Sequence, residues 1–342
     1  MPDVIHESDI KISQGNHRIR WIDIAKGIAI LAIILGHTAL KNSIIWNWCY
    51  TFHVPMFFIL SGYTSGIASS WSDVWRHVKK NFLHLIVPCL SIEMIQIIIS
   101  FFLAEEKTVN TLIALLTKQL DVLFWASGAT NADGTIPSLG ALWFLIALFY
   151  AKLFWDIIYV LFPKVTAPVC IMTGFLGMLI GQRTYLPQEL DVVFLVVFFL
   201  EVGKYFKRFD ESKYYDKFKY LAVFIGFVIW IVCFCLGIRI EIVYRDYPYG
   251  VISIIEACCA TYCMCVLSRL FDNIAVVRDI LSYIGKFTLW IFMVHSLDYL
   301  INFMWVNLQS GIYIIAVRVI VDVSLALLLA HIKSFKSFIN RK

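Results

Sequence analysis

The sequence predicts an all-α fold, a polytopic bundle of transmembrane helices. Of its 342 residues, 60% are hydrophobic and only 15% are charged, and the mean hydropathy is +0.78. Soluble domains carry about 25% charged residues and cannot bury so many apolar runs. Apolar runs of about 17 residues or more recur along the chain, and each is long enough to cross about 30 Å of hydrocarbon.

These runs predict ten spans in one membrane domain. No Gly/Ser linker, low-complexity tract or internal repeat divides the chain. We therefore expect an amino-terminal tail over residues 1–20, a membrane domain over 21–333 and a basic carboxy-terminal tail over 334–342. The predicted spans cover about residues 22–40, 46–66, 82–103, 139–162, 165–181, 189–206, 218–237, 248–268, 281–303 and 311–332.

The distribution of positive charge predicts that both termini are cytoplasmic. Cytoplasmic loops of membrane proteins are enriched in Lys and Arg. With the amino terminus placed inside, most of the 29 Lys and Arg residues fall on the cytoplasmic side. The net charge of +5 therefore reports orientation, and we expect no nucleic-acid partner. The basic residues assigned to the outer side are only Lys41, Lys107, Lys118, Arg183, Arg239 and Arg245.

The first span carries two ionisable residues on one helix face. Lys26 and His37 lie eleven positions apart, so a helix places them within roughly 20° of each other and roughly 16 Å apart along the axis. Ionisable side chains are costly in a bilayer and face protein or a wet cavity. A basic anchor at one end and a titratable base at the other favour a long anionic ligand. Asp23, one turn earlier, is a candidate partner for Lys26.

Two further histidines are predicted at a depth similar to that of His37. His53 precedes Pro55 early in the inward-running second span, where the proline opens the preceding turn and leaves a polar spot. His37 comes late in an outward-running span, so both imidazoles belong in the outer half of the bundle. His295 lies past the middle of another outward-running span. Three histidines at one depth predict a site.

Two alternatives compete with that interpretation. Each histidine has a structural explanation, a hydrogen bond to a neighbouring helix. A metal site made of the three imidazoles is the other alternative. Lys26 would repel the metal, and no carboxylate within the spans has an evident matching position, so we expect no metal.

A basic stretch follows the second span, near the cytoplasmic start of the first. Guanidinium and ammonium groups suit phosphate binding, and these cations would surround one inner mouth. The alternatives are plain positive-inside topology or attraction to anionic lipid headgroups. The candidate phosphate-binding residues are Lys26, Arg76, Lys79, Lys80 and Lys286.

The longest outer segment, about residues 104–138, carries an amphipathic pattern. Apolar residues recur at helical spacing from Thr108 to Trp125, ahead of the turn-rich Asn131-Ala132-Asp133-Gly134. This pattern favours an interfacial helix, a lid over an outer entrance, or a simple connecting helix on the membrane surface.

Four motifs along the chain resemble those of a known family. They are Trp21-Ile22-Asp23-Ile24-Ala25-Lys26-Gly27 through Gly36-His37, Phe52-His53-Val54-Pro55-Met56-Phe57-Phe58 with Leu60-Ser61-Gly62, Leu142-Trp143-Phe144-Leu145, and Ile284-Gly285-Lys286 through His295. Together they resemble the signatures of the acyltransferase-3 membrane family, and most closely its fucose 4-O-acetylase-like branch. The resemblance covers about residues 18–333.

The resemblance implies a multi-pass O-acyltransferase of a bacterial-type plasma membrane. Such an enzyme moves an acyl group, usually acetyl from acetyl-CoA, to a hydroxyl of a cell-envelope polysaccharide, its lipid-linked precursor or an exported glycan. The expected partners are acetyl-CoA, the sugar acceptor and the lipid bilayer. The acceptor sugar, the acyl chain and the oligomeric state are left open.

The residues and the resemblance together suggest a mechanism. His37 would act as the general base, a role suited to an imidazole, and a covalent acetyl-histidine is a variant. His53, His295 or Trp143 would orient the acceptor or stabilise the oxyanion. Asp23, Ser61 and Trp143 are expected to contact substrate.

A transporter, or a small-molecule uptake or sensing module, is the competing class of function. Polar residues near the midplane and a proline-broken helix also occur in solute carriers. No inverted repeat or second broken helix in a matching position is evident in the sequence, which favours the enzyme.

Overall fold

The predicted all-helical bundle is confirmed. A computed structural model of the chain describes residues 18–297 and 312–331, and this part contains helices and loops but no β-strand. Two isolated β-bridges, Ser127 with Ser138 and Glu241 with Asp246, occur in the outer loops. Most of the predicted amino-terminal tail and all of the carboxy-terminal tail over 334–342 lie outside the described residues.

Most of the described α-helices coincide with the predicted apolar runs. A π-helical turn occurs at Phe82–Ile86, and short 3₁₀ turns occur at Gly140–Leu142, Pro187–Glu189 and Ile242–Tyr244. The helices are α1 Arg20–Thr38, α2 Ile44–Cys49, α3 His53–Thr64, α4 Trp71–Asn81, α5 Val87–Leu103, α6 Val109–Trp125, α7 Trp143–Leu161, α8 Thr166–Gly181, α9 Leu190–Asp210, α10 Tyr215–Cys235, α11 Val251–Phe271, α12 Ala275–Lys286, α13 Thr288–Leu297 and α14 Ile312–His331.

Six of the described helices are long and apolar enough to cross a membrane, or seven if α12 and α13 form one span bent by 64°. The other predicted spans coincide with helices that differ from a simple span. The second is split between α2 and α3, α8 has only 16 residues, and α9 carries Asp191, Glu201 and Lys204. The total of ten spans and the cytoplasmic termini stay predictions.

The break in the predicted second span lies before the histidine, not at the proline. The chain turns at Tyr50–Phe52, where Phe52 has φ −147° and ψ −22°. Pro55 is the third residue of α3, a position where the missing N–H has no intrahelical partner in any case. The proline therefore helps to start α3 instead of kinking it, and His53 is the first residue of the new helix.

Small residues let neighbouring helix backbones touch, as is usual for helices packed within a membrane. A side chain at Gly62 of α3 would collide with the backbone of Leu200 on α9, and one at Gly203 with the backbone of Ile59. A side chain at Gly285 of α12 would likewise strike the backbone of Asp23 on α1. These contacts fix α1 and α3, the helices that carry His37 and His53.

The outer segment contains the helix predicted over Thr108–Trp125, as α6. An apolar stripe of α6 faces away from the protein, and Gln119 on another side bonds to Glu93 of α5. The stripe consists of Val109, Ile113, Leu116, Leu120 and Phe124, all exposed.

A buried ionic cluster ties three outer loops together. Arg245 Nε lies 2.8 Å from Asp191 Oδ2, and Arg245 Nη2 lies 3.0 Å from Glu189 Oε2. Glu189 Oε1 accepts a 2.6 Å hydrogen bond from the Gly128 backbone N–H. Glu189 and Arg245 both have φ of 54°, a left-handed conformation that costs a non-glycine residue about 1–3 kcal/mol. The ion pairs hold the loops in this conformation.

Replacing Arg245 by methionine should therefore destabilise the fold strongly. Two carboxylates would stay buried without their counter-charge, a change that costs about 3–5 kcal/mol. Equilibrium unfolding in mixed detergent micelles measures the loss. Arg183→Met is the matched control, since Arg183 is exposed on the loop that also leads to Glu189. Equal losses in the two variants would refute a stabilising role for the cluster.

Candidate active site

The three histidines predicted from the sequence converge in the described structure. His37 lies at the end of α1, His53 begins α3 and His295 lies on α13. The ring centroids of His37 and His295 are 5.5 Å apart, and those of His37 and His53 are 6.4 Å apart. His37 is thus the middle member of the group, with one imidazole on each side.

A carboxylate accompanies His295. His295 Nδ1 lies 2.9 Å from Asp322 Oδ2 of α14, and both side chains are buried. An ionised carboxylate only accepts hydrogen bonds, so beside an ionised Asp322 the His295 Nδ1 is the protonated nitrogen of this contact. A carboxylate in this position orients the imidazole and stabilises its protonated form, as in catalytic triads.

The expectation that no carboxylate within the spans matches the histidines was wrong. Asp322 follows His295 by 27 residues, and no local spacing connects them. Packing of α13 against α14 brings the two together. Asp322 could have been singled out in the sequence, because an aspartate inside an apolar span is costly and requires a partner there.

The His53 side chain is held by a hydrogen bond to the end of the preceding helix, α2. Its Nδ1 lies 2.7 Å from the Cys49 carbonyl oxygen, which only accepts, so here also Nδ1 carries the proton. The ring is 3% exposed and packs against Tyr50, with centroids 4.5 Å apart. His53 is therefore a fixed wall beside His37.

His37 differs from the other two histidines because it opens into a cavity. Its side chain is exposed, and no hydrogen-bond partner for its ring occurs among the residues that the structure describes. The cavity, which we name the outer cavity, has a volume of about 570 Å³ and is also lined by His295, Trp143 and Arg318. This volume is typical of small-molecule sites. His37 is thus free to contact a ligand.

Gly128 and Ser138 of the outer segment line the outer cavity together with residues 139–141, which follow the segment, but no residue of α6 does. Contact with the cavity therefore comes from the loop that follows α6. Trp143, predicted to contact substrate, is packed against Phe58 at a centroid distance of 6.3 Å and forms part of the wall. The Gly128 backbone lies directly against its indole, since a side chain at Gly128 would strike Trp143.

Two further cavities adjoin the outer cavity. The larger inner cavity, of about 310 Å³, shares Ile33, Phe144 and Phe292 with the outer cavity. The smaller inner cavity, of about 210 Å³, shares Lys80 and Lys152 with the larger one. The three cavities are thus neighbours, and the one lined by His37 and His295 is separated by these shared residues from the two lined by Lys80 and Lys152.

The inner cavities contain only some of the predicted phosphate-binding residues. Lys26 and Lys80 line them, as does Ser61. Arg76 instead pairs with Asp73 at 2.5 Å, and Lys79 lies over the Trp75 ring at 5.2 Å. These two cations are absent from the lining of the three cavities, and so is the exposed Lys286.

The structure also changes two expectations about charged residues near the inner cavities. The Asp23 carboxylate makes its contact ion pair with Arg18 Nε at 2.6 Å, while its negative charge also favours the buried Lys26 ammonium. Asp23 does not line the three cavities. Lys152 of α7 was not predicted, yet it lines both inner cavities and donates to Ser65 Oγ at 3.0 Å. Like Asp322, it could have been found from the cost of a charged residue within a span.

The comparisons with known proteins give one match. The acyltransferase-3 family model, described as an acyltransferase domain, matches residues 19–331. No curated protein and no solved structure matches the chain. Thus the matched region contains all three histidines and the lysines of the inner cavities.

The hydrogen bonds predict the tautomers of two histidines. In neutral His53 and His295, the proton should reside on Nδ1 and the lone pair on Nε2, because Cys49 O and Asp322 Oδ2 accept from Nδ1. ¹⁵N NMR of histidine-labelled protein distinguishes protonated from bare ring nitrogens. His53→Gln and His295→Gln assign the signals, and a proton on Nε2 of either residue would contradict the arrangement.

Proposed function

Because the chain belongs to the acyltransferase-3 family, we propose that this membrane acyltransferase moves an acetyl group from acetyl-CoA to a sugar hydroxyl. The acceptor is a cell-envelope or exported polysaccharide or its lipid-linked precursor, in a bacterial-type plasma membrane. The main support is the position of His37, which is exposed in a cavity that shares lining residues with a lysine-lined one. One imidazole can then meet a donor from one end and an acceptor from the other.

The inner cavities suit the donor. Lys80 and Lys152 line both of them and Lys26 lines the larger, so three cations are available to the phosphates of acetyl-CoA. The remaining lining of the larger cavity is mostly apolar, with Ile30, Phe57 and Leu145 among its residues. A pantetheine arm running along this lining would bring the thioester to Ile33, Phe144 and Phe292, where the outer cavity begins.

His37 is proposed as the general base. It removes the proton from the acceptor hydroxyl as the oxygen attacks the thioester carbonyl carbon. The C–S bond then breaks, and the thiolate of CoA takes the proton back from the His37 imidazolium. Both half-steps use a single proton and need no metal. A positioned base contributes about 10²-fold to 10⁴-fold to a rate.

The neighbouring groups support this role of His37. Asp322 Oδ2 lies 2.9 Å from His295 Nδ1 and orients this imidazole, and the His295 ring lies 5.5 Å from His37 between centroids. His295 is therefore suited to orient His37 and to share its positive charge. Arg318 and Trp143 line the same cavity as His37, and positive charge on that lining would favour the oxyanion of the tetrahedral intermediate.

Replacing His37 by glutamine should abolish sugar acetylation. The loss of a general base lowers the rate about 10²-fold to 10⁴-fold, whereas acetyl-CoA binding at the lysine end should persist. Envelope glycans from a deletion strain complemented with each variant are compared by mass spectrometry for the acetyl increment. His331→Gln is the control, because His331 is an exposed histidine at the end of α14. Normal acetylation with His37→Gln would remove His37 as the base.

Replacing a lysine that lines the inner cavities should weaken acetyl-CoA binding more than replacing a neighbouring lysine that does not line them. Lys80→Met and Lys152→Met should each raise the Kd of acetyl-CoA roughly 10-fold to 100-fold, since a hydrogen bond to a charged group contributes about 1.5–3 kcal/mol. Lys79→Met is the control, because Lys79 is adjacent and exposed but lies over Trp75. Titration calorimetry in detergent micelles measures each Kd. An equal effect of all three variants would indicate general charge attraction.

A further inference from the structure

Helix α4 has two faces of different character, and one of them belongs to the protein interior. Val74 is buried, and His77 and Asn81 line the smaller inner cavity. His77 Nδ1 also lies 2.9 Å from Asp156 Oδ2 of α7, which holds α4 against the bundle. Val74, His77 and Asn81 are three and four positions apart, so they share one side of the helix.

The opposite side of α4 is aromatic and basic. Trp71 and Trp75 are 57% and 61% exposed, and the neighbouring Arg76 and Lys79 are exposed as well. Lys79 Nζ lies 5.2 Å from the centroid of the Trp75 ring. We name these four residues the aromatic–basic face. Tryptophan together with Lys or Arg is typical of helices at the boundary between a bilayer and water.

The length of the helix places this face at the lipid headgroups. The chain is continuously helical from Trp71 to Leu103, over 33 residues, which corresponds to about 50 Å. A bilayer has a hydrocarbon core of about 30 Å and a total thickness of about 40–45 Å. The exposed residues of α5 are apolar, among them Met94 and Ile98, so α5 occupies the hydrocarbon. Thus α4 passes through the headgroup region on the side of the inner cavities.

The charges of α4 favour an anionic headgroup. The helix carries the cations Arg76, Lys79 and Lys80 and the single carboxylate Asp73. Lys80 lines the inner cavities. Arg76 Nη2 contacts Asp73 Oδ1, yet its side chain stays 69% exposed, and a guanidinium has four further N–H donors. Lys79 makes no ion pair with any residue that the structure describes. Both cations can therefore meet a phosphate outside the protein.

We propose that the aromatic–basic face of α4 binds anionic phospholipids, with Arg76 and Lys79 contacting the lipid phosphates and Trp71 and Trp75 packing among the headgroups. This assignment goes beyond acyl transfer and does not depend on it. It gives a partner to two cations of the inner loop that lie outside the three cavities. Lipid then contacts one face of α4, while the other face forms a wall of the smaller inner cavity.

The test follows one residue of this face in the full chain. The protein is labelled with 5-fluorotryptophan and kept in neutral detergent micelles, and Trp75→Phe assigns the Trp75 signal in the ¹⁹F NMR spectrum. Dioleoylphosphatidylglycerol and dioleoylphosphatidylcholine are titrated separately into wild type and into the double variant Arg76→Gln/Lys79→Gln. The matched control is Lys213→Gln/Lys217→Gln, which removes the same charge from two exposed lysines at the start of α10.

We expect phosphatidylglycerol to shift the Trp75 signal with a midpoint at least about fivefold lower than that of phosphatidylcholine, since each basic residue near an anionic surface contributes about fivefold. The Arg76/Lys79 double variant should raise the phosphatidylglycerol midpoint roughly 10-fold to 30-fold. The control pair should change it less than about twofold, because the attraction is local. Equal midpoints for the two lipids, or equal losses in the two double variants, overturn the assignment.

Acetyl-CoA is the alternative source of phosphate and is titrated without lipid. If acetyl-CoA shifts the Trp75 signal and the Arg76/Lys79 double variant abolishes that shift, the two cations bind the acyl donor and the lipid assignment is wrong. If acetyl-CoA does not bind at all while the response to phosphatidylglycerol depends on Arg76 and Lys79, the lipid site stands and the proposed function is contradicted.

Discussion

The cost of placing ionisable side chains inside a membrane bundle governs the arrangement of this molecule. Each such group must meet a partner, another helix or a wet cavity. Asp322 meets His295, His53 meets the Cys49 carbonyl and Lys152 meets Ser65. His37 is exposed in a cavity, and its ring has no hydrogen-bond partner among the described residues. The groups with fixed partners form walls, and His37 is left to meet a ligand.

The same cost explains what the sequence could and could not predict. Lys26, His37, His53 and His295 were recognisable because a charged or titratable residue is conspicuous in an apolar run, and the predicted depth of the histidines is matched by their convergence. Local spacing carried no information on pairs formed across helices. Asp322 meets His295 only because α13 packs against α14. Asp23 forms its ion pair with Arg18, five residues earlier in the chain, and helical spacing had suggested only Lys26.

Loops were harder to predict than helices for a related reason. Apolar length located most of the spanning helices, and the amphipathic spacing of the outer segment predicted α6. The Glu241 loop has no periodic pattern, and its conformation depends on Arg245, Glu189 and Asp191, which come from distant parts of the chain. Basic residues of the inner loop looked equivalent in the sequence. Only three-dimensional packing separates Lys80, which lines a cavity, from Lys79, which lies over Trp75.

The break between α2 and α3 shapes one side of the outer cavity, which Trp46, Tyr50 and Val54 line. If the second span were one continuous helix, Tyr50 and His53 would lie nearly one turn apart on one rigid face, and the Tyr50 carbonyl would be used within the helix. The turn at Tyr50–Phe52 instead frees that carbonyl for Ile240 and places Cys49 O against His53. A single irregular turn thus positions an imidazole beside His37 and anchors the loop whose Glu241 lines the same cavity. Irregular backbone is tolerated at membrane depth where it lines a cavity, and this turn lines the cavity in which His37 is exposed.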